Sequence, residues 1–394
     1  MGRRVLWVGR LALALSFGLA ALIVLPVSSA SSSTTPDVSF VSLPDYGGDV
    51  LVAPDSTVIA LSTYDVTRVA VDGTVAVQRV ASAGTVLTSM ALDATGNLWL
   101  AASGAGGGKP ELVRVSVGGA ITRFPLPASA GSAHDIEVSS VGDVWFAPGG
   151  FLGLLGRLKT DGTFEMTNVP SASIPNNLVP DANGSMWFTT LVPPGIGRVR
   201  SSGEVTIFPL GGSQIRQAVM CMGPDGRLWA VLGVTPFFTN PAQHDLVRVA
   251  LTGEMERTTL DFSSTFASTN VNAITTAPDS TVWITRSELG DALSPSYLTP
   301  LNNTTDHHEV NFAGLQDRSP YRLAGAPDGS IWFSSFQRYE VGRVRDLPVP
   351  PPVVPEAPIA IMFPMIAMGV FLAQWHRQRT GWMNKSRHGR RSPR

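Results

Sequence analysis

The chain has 394 residues, of which 15% are charged, with 39 Gly and 30 Pro, a turn-rich and weakly charged composition suited to many short strands. Its formal charge of -1 hides an asymmetry: seven cations follow Trp375, while the body sets 19 Lys and Arg against 30 Asp and Glu, a balance of -11. A body this acidic argues against nucleic acid as a partner, and the single cysteine, Cys221, rules out an intramolecular disulfide. Within the apolar run Ala218–Met222, Cys221 reads as a small packing residue.

Residues 1–30 read as a signal peptide. Arg3, Arg4 and Arg10 form its basic start, Leu11–Val27 its apolar core, and Ser28-Ser29-Ala30 the small residues before cleavage.

Residues 31–346 are dominated by a repeat. Trp99, Trp145, Trp187, Trp229, Trp283 and Trp332 are separated by 46, 42, 42, 54 and 49 residues. Each closes the same phrase, a turn, an apolar residue and Trp, as in Pro224-Asp225-Gly226-Arg227-Leu228-Trp229. A weaker copy stands first, with Ile59 in the Trp position. Upstream of each lies a short apolar strand; downstream come a Gly-Arg-Val or Val-Arg-Val strand, a turn and a fourth strand. Four antiparallel strands in each of seven tandem copies predict an all-β, seven-bladed β-propeller, with the tryptophans between the blades. The seventh copy lacks a fourth strand, and Val38–Pro44 looks like the missing one, so an N-terminal strand is expected to close the ring.

The phrases Pro-Asp-Gly-x-Leu-Trp, Ile-Gly-Arg-Val and Gly-Glu-Val-Thr-Ile-Phe-Pro-Leu resemble the virginiamycin B lyase (streptogramin lyase) family, most clearly from Gly142 to Leu210. The resemblance implies a propeller and, in the lyases, a channel-mouth Mg2+ held with help from glutamates, with a histidine base that opens a cyclic peptide by elimination. The positions that match the Glu of the family's Trp-Phe-Thr-Glu phrase are Ala102, Pro148, Thr190, Leu232, Arg286 and Ser335, and none is a carboxylate. Two residues before His134 stands Ser132, where the family has Glu.

Loops entering the innermost strands and loops after the second strands share one face of a propeller. Several of the latter are long: Ser103–Pro110, Leu232–Asp245 and Ser287–Pro295. His134, Asp135, His244, Glu288, Asp291, Tyr321 and Arg322 make that face the expected ligand surface, with Asp49 and Asp135 its carboxylates nearest the innermost strands. Other features read as surface. His307 and His308 are neighbours on an outer strand and point to opposite faces, and Gly104–Lys109 is a hairpin tip without a phosphate loop's spacing. Asn183, Asn302 and Asn303 head glycosylation triplets.

A proline-rich linker, residues 347–356, precedes 19 uncharged residues from Ala357 to Trp375. At ~1.5 Å per residue that run reaches about 28 Å, enough to cross a bilayer core. The basic tail, 376–394, belongs on the cytoplasmic side, which puts the propeller outside. Pro355-Glu356-Ala357-Pro358 before an apolar run and arginines also resembles exosortase and archaeosortase sorting signals. The resulting expectation is a membrane-anchored binding module for a protein, glycan or small ligand, with no cofactor. The alternative is a lyase-like or lactonase-like enzyme, which would need Mg2+ or another metal at the channel mouth.

Overall fold

The turns of the repeat close themselves. In Asp55, Asp72, Asp161, Asp225, Asp279 and Asp328 a carboxylate oxygen accepts the backbone N–H two residues on, at 2.9–3.1 Å. The next position has positive φ, supplied by glycine at Gly73, Gly226 and Gly329 but by serine at Ser56 (66°) and Ser280 (69°).

The computed structural model describes residues 37–347 apart from 45–47, 106, 150–152, 171–172, 192, 211–213, 236–242, 261, 263–267, 290–295, 302–308, 313–317, 319 and 336–337. The expected signal peptide, most of the linker, the apolar run 357–375 and the basic tail lie outside the described residues. Among the described residues, no helix is long and apolar enough to cross a membrane.

The first strand is β1 (Asp37–Ser42). Blade one follows with β2 (Val50–Val52), β3 (Val58–Leu61), β4 (Asp65–Val69) and β5 (Val75–Arg79). Blade two has β6 (Thr85–Leu92), β7 (Leu98–Gly104), β8 (Glu111–Val115) and β9 (Ile121–Pro125). Blade three has β10 (Ala133–Val138), β11 (Val144–Pro148), β12 (Leu154–Leu158) and β13 (Phe164–Asn168). Blade four has β14 (Pro175–Pro180), β15 (Met186–Leu191), β16 (Pro194–Val199) and β17 (Val205–Pro209). Blade five has β18 (Gln214–Met222), β19 (Leu228–Thr235), β20 (Gln243–Val249) and β21 (Met255–Leu260). Blade six has β22 (Ser268–Thr276), β23 (Val282–Leu289), β24 (Ser296–Pro300) and β25 (Val310–Asn311). Blade seven has β26 (Pro320–Gly325), β27 (Ile331–Ser335) and β28 (Glu340–Arg345).

Each sheet is antiparallel and runs in chain order from the axis outward. The seventh is completed by β1, whose Asp37 lies opposite Arg345 and Ser42 opposite Glu340. The chain is therefore a seven-bladed propeller closed by its N-terminal strand, as the repeat predicts. Closure leaves no blade with an exposed outer gap.

The core is seven separate layers, one between each pair of successive blades. Trp187, for example, packs with Met220, Leu228 and Val247 of the following blade, and Trp332 of blade seven packs with Val50, Val58 and Ala60 of blade one. Successive side chains on a strand point oppositely, so the residue after each Trp faces the preceding blade. Phe146 thus joins Ile136 and Trp99, while its neighbour Trp145 joins Leu178 and Phe188.

The residue after Trp also decides what stands opposite it on the third strand. Phe146, Phe188 and Phe333 lie across from Gly156, Gly197 and Gly342, and a Cβ at any of these glycines would overlap the phenyl ring. Where the position is smaller the partner is larger: Leu100 faces Val113, Ala230 faces Val247, and Ala60 faces Thr67. The Gly-Arg-Val and Val-Arg-Val variants of the repeat are therefore two solutions to one volume constraint.

Gly156→Val should destabilise the propeller by about 1–3 kcal/mol, the usual cost of overpacking, and adding Phe146→Leu should recover most of it. Chemical denaturation of the three variants checks this, and strict additivity would refute the volume argument. Replacing Ser56 or Ser280 by Gly should stabilise by about 1 kcal/mol, read as a raised melting temperature.

Candidate functional site

Six of the innermost strands carry a bulge at the same place. The extra residue is Thr88 in β6, His134 in β10, Asn177 in β14, Arg216 in β18, Asn272 in β22 and Tyr321 in β26. A bulge interrupts the ladder, and here all six fall no later than the middle of the innermost strand. The far ends of the second strands pair with the starts of the innermost strands, as Thr85 does with Gly104, so the long loops share this face.

The seven innermost strands enclose an axial cavity of about 240 Å³. Its polar lining includes Asp49, Ser89, His134, Asp135, Glu137, Asn177, Asn272 and Arg322. Several of these groups bind one blade to the next. Asp135 accepts the Ser89 hydroxyl of blade two at 3.1 Å and the Leu178 N–H of blade four at 2.6 Å. Thr88 donates to the Ala133 carbonyl at 2.9 Å, and Asn177 to the Ala218 carbonyl at 2.7 Å. Arg322 of blade seven holds Asp49 of blade one at 3.1 Å and the Asn272 carbonyl of blade six at 3.3 Å. Asp135 and Arg322 are therefore fasteners of the ring as well as lining.

Of the expected ligand-face residues, the fold brings His134, Asp135 and Arg322 together around this cavity. His134 is exposed, and its ring lies over Gly149. Tyr321 stands beside them, with the Arg322 guanidinium 4.8 Å from its ring centroid. His244 does not line the cavity: it is 2% exposed on the third strand of blade five, 5.6 Å from the Phe262 ring. It had been grouped with the ligand face because it ends a long loop, but strand β20 begins before it and turns it inward. Glu288 lies on β23 opposite Thr269, and Asp291 falls outside the described residues. Asn183 is exposed in a turn, whereas Asn302, Asn303, His307 and His308 lie outside the described residues. Cys221 contacts the Thr276 hydroxyl at 3.4 Å, and burial pushes its thiol up to about 12, which suits a packing residue.

Glu137 was missed by sequence reading. Its signal was its spacing, two residues after Asp135 on an innermost strand and hence on the same side. Burial, then the Asp135 and Asp49 charges, push its carboxyl well above the usual range. Burial likewise raises Asp135. Glu137 thus keeps its proton at pH values where an exposed glutamate has lost it, and can donate a hydrogen bond into the channel.

This donor set does not fit a carboxylate-held magnesium ion. Asp49 is bound to Arg322, Asp135 is bound to Ser89 and Leu178, and no three metal-ligating side chains converge among the described residues. The six positions matching the family's glutamate are buried at the ends of second strands.

The raised Glu137 carboxyl makes the fold pH-sensitive. The native state binds this proton more tightly than the unfolded chain, whose glutamates titrate near 4.3, so stability falls as pH rises from there through the raised native value. Glu137→Gln should remove that loss. Its melting temperature should exceed that of the wild type by a margin that grows as pH is raised above about 4.3, and a margin that stays constant with pH would show that the Glu137 carboxyl is not raised.

Comparison with solved structures finds the same fold in a virginiamycin B lyase from Staphylococcus aureus, at a TM-score of 0.62 and 17% identity over 78% of this chain and 99% of that one. A streptogramin B lyase gives 0.62 and 21% over 79% and 97%, and YCF48 bound to a peptide gives 0.58 and 14% over 81% and 98%. No protein-family model matches the chain, and no curated protein matches its sequence.

Proposed function

We propose that this chain is a binding module displayed outside the membrane, and that its axial cavity seats an amide-bearing group of a peptide ligand. The observation that carries the reading is the cavity itself, a ring of hydrogen-bonding groups in which Asp49 and Asp135 are already bonded to neighbouring blades. With its carboxyl raised by burial, Glu137 in its protonated form can donate to a ligand carbonyl. A similarly folded propeller, YCF48, is known in complex with a peptide. The signal-peptide pattern, the uncharged run 357–375 and the basic tail support display on a single-span anchor, and the Pro355-Glu356-Ala357-Pro358 motif supports handling by a sorting enzyme.

A second reading, a diverged lyase, is favoured by one observation: an exposed histidine, His134, stands at the channel mouth of a fold shared with streptogramin B lyase. The full-length protein in detergent micelles distinguishes the two. With a streptogramin B and magnesium, chromatography should show no ring opening above a His134→Ala control; opening that depends on His134 would establish the lyase. On a peptide array, Glu137→Leu should weaken the strongest signals by roughly tenfold, the loss of one buried hydrogen bond, while Glu137→Gln retains them. Equal binding by the Leu variant would remove the axial cavity from the account.

A further inference from the structure

The cross-strand pair of the repeat, Trp on the second strand against Arg on the third, recurs in blades two, three, four, five and seven. In four of them the guanidinium lies 5.1–5.4 Å from its Trp ring centroid. Each of those arginines also has a polar partner. Arg157 binds Asp143, Arg198 the Leu251 carbonyl, Arg248 Glu256, and Arg343 Asp328. Arg114 of blade two has none of these: among the described residues it makes no ion pair, hydrogen bond or ring contact.

The cause is local. The face of Trp99 is covered by Phe124, whose ring centroid is 5.4 Å away. Thr122, not a glutamate, lies across from Arg114 on the outer strand, whereas Arg157 and Arg248 face Glu165 and Glu256 there. Asn97 stands where blade three has Asp143, and its amide donates to Asp93 at 2.9 Å. Asp93 itself accepts from Thr95, Asn97 and Trp99, and those bonds outweigh its partial burial and hold it down at about 2.

The lone guanidinium opens onto a cavity of about 330 Å³ between blades two and three, on the face opposite the bulges. Trp99, Phe124, Val144 and Leu158 give it an apolar lining; Asp93 also borders it, and Lys159, another lining residue, is paired with Glu165 at 2.9 Å. We infer that this cavity binds an organic carboxylate with an apolar or aromatic body, the carboxylate on Arg114 and the body against Trp99 and Phe124. A planar guanidinium pairs with a carboxylate through two parallel bonds, and the cavity has the volume of a small-ligand site. A free aromatic acid and the C-terminal residue of a peptide both offer this chemistry.

Calorimetric titration of the full-length protein in micelles with N-acetylphenylalanine and its carboxamide tests the site, together with a decapeptide ending in Phe. The acid should bind about tenfold or more tightly than the amide. Thr122→Glu, which gives Arg114 the partner that Arg157 and Arg248 already have, should fold with an unchanged or higher melting temperature and lose that affinity. Arg248→Leu, the same position in blade five, should leave it intact. Binding by both the acid and the peptide identifies a free acid as sufficient, and binding by the peptide alone identifies a chain terminus. Measurable and equal affinity for acid and amide, wild-type affinity in Thr122→Glu, or no binding of any probe would overturn the inference.

Discussion

The structure depends on the apolar layer between successive blades. A four-stranded sheet of this size has two faces to bury and no means of covering them itself, so each blade is stable only against its neighbours. The second strand meets that need in two directions at once. Its Trp faces the following blade and the next residue faces the preceding one, so a dipeptide such as Trp145-Phe146 contributes to two layers. Ring closure is the same requirement applied to the ends of the chain. Without β1 on β28, blade seven would end on an exposed third strand, and the layer of Trp332 against blade one would lose its outer support.

That packing controls the polar groups as well. Because the second strand is filled by bulky residues, the chain's variable chemistry is displaced to the two faces. On one face the bulges turn Thr88, His134, Asn177 and Asn272 out of the ladder at the axis, where backbone carbonyls of adjacent blades are within reach. Most axial polar groups are consumed in holding the ring together. Glu137 differs because, among the described residues, it has no ion pair, and burial with the Asp135 and Asp49 charges raises its carboxyl. On the other face, arginines lie over tryptophans in blades three, four, five and seven, and in blade two the same cross-strand pair leaves Arg114 without a protein partner among the described residues.

The architecture was legible because each repeat writes the same constraint in sequence. Tryptophan spacing gave the blade count, and the missing fourth strand after Gly342–Arg345 pointed to a strand at the other end of the chain. Site residues were legible only where they sit at a repeated position. His134, Asp135 and Arg322 follow directly from the start of an innermost strand. His244 resembles them in sequence but not in space, because the hairpin of blade five extends farther and carries it into the packed interior. Glu137 was hidden within what reads as ordinary strand alternation.

By itself the sequence determined the number of blades and the place of closure, while the register that sets each Phe against a Gly was read from the assembled sheets. Blade number and closure are local consequences of strand periodicity and side-chain size, repeated until they cannot be mistaken. Only the tertiary structure decided which polar groups are already satisfied. Whether a carboxylate or a guanidinium has a partner is settled by residues some forty positions away on the next blade, as with Asp135 and Leu178 or Arg157 and the Ser201 carbonyl. Satisfaction of a buried charge is a property of the assembled ring, and no window of sequence contains it.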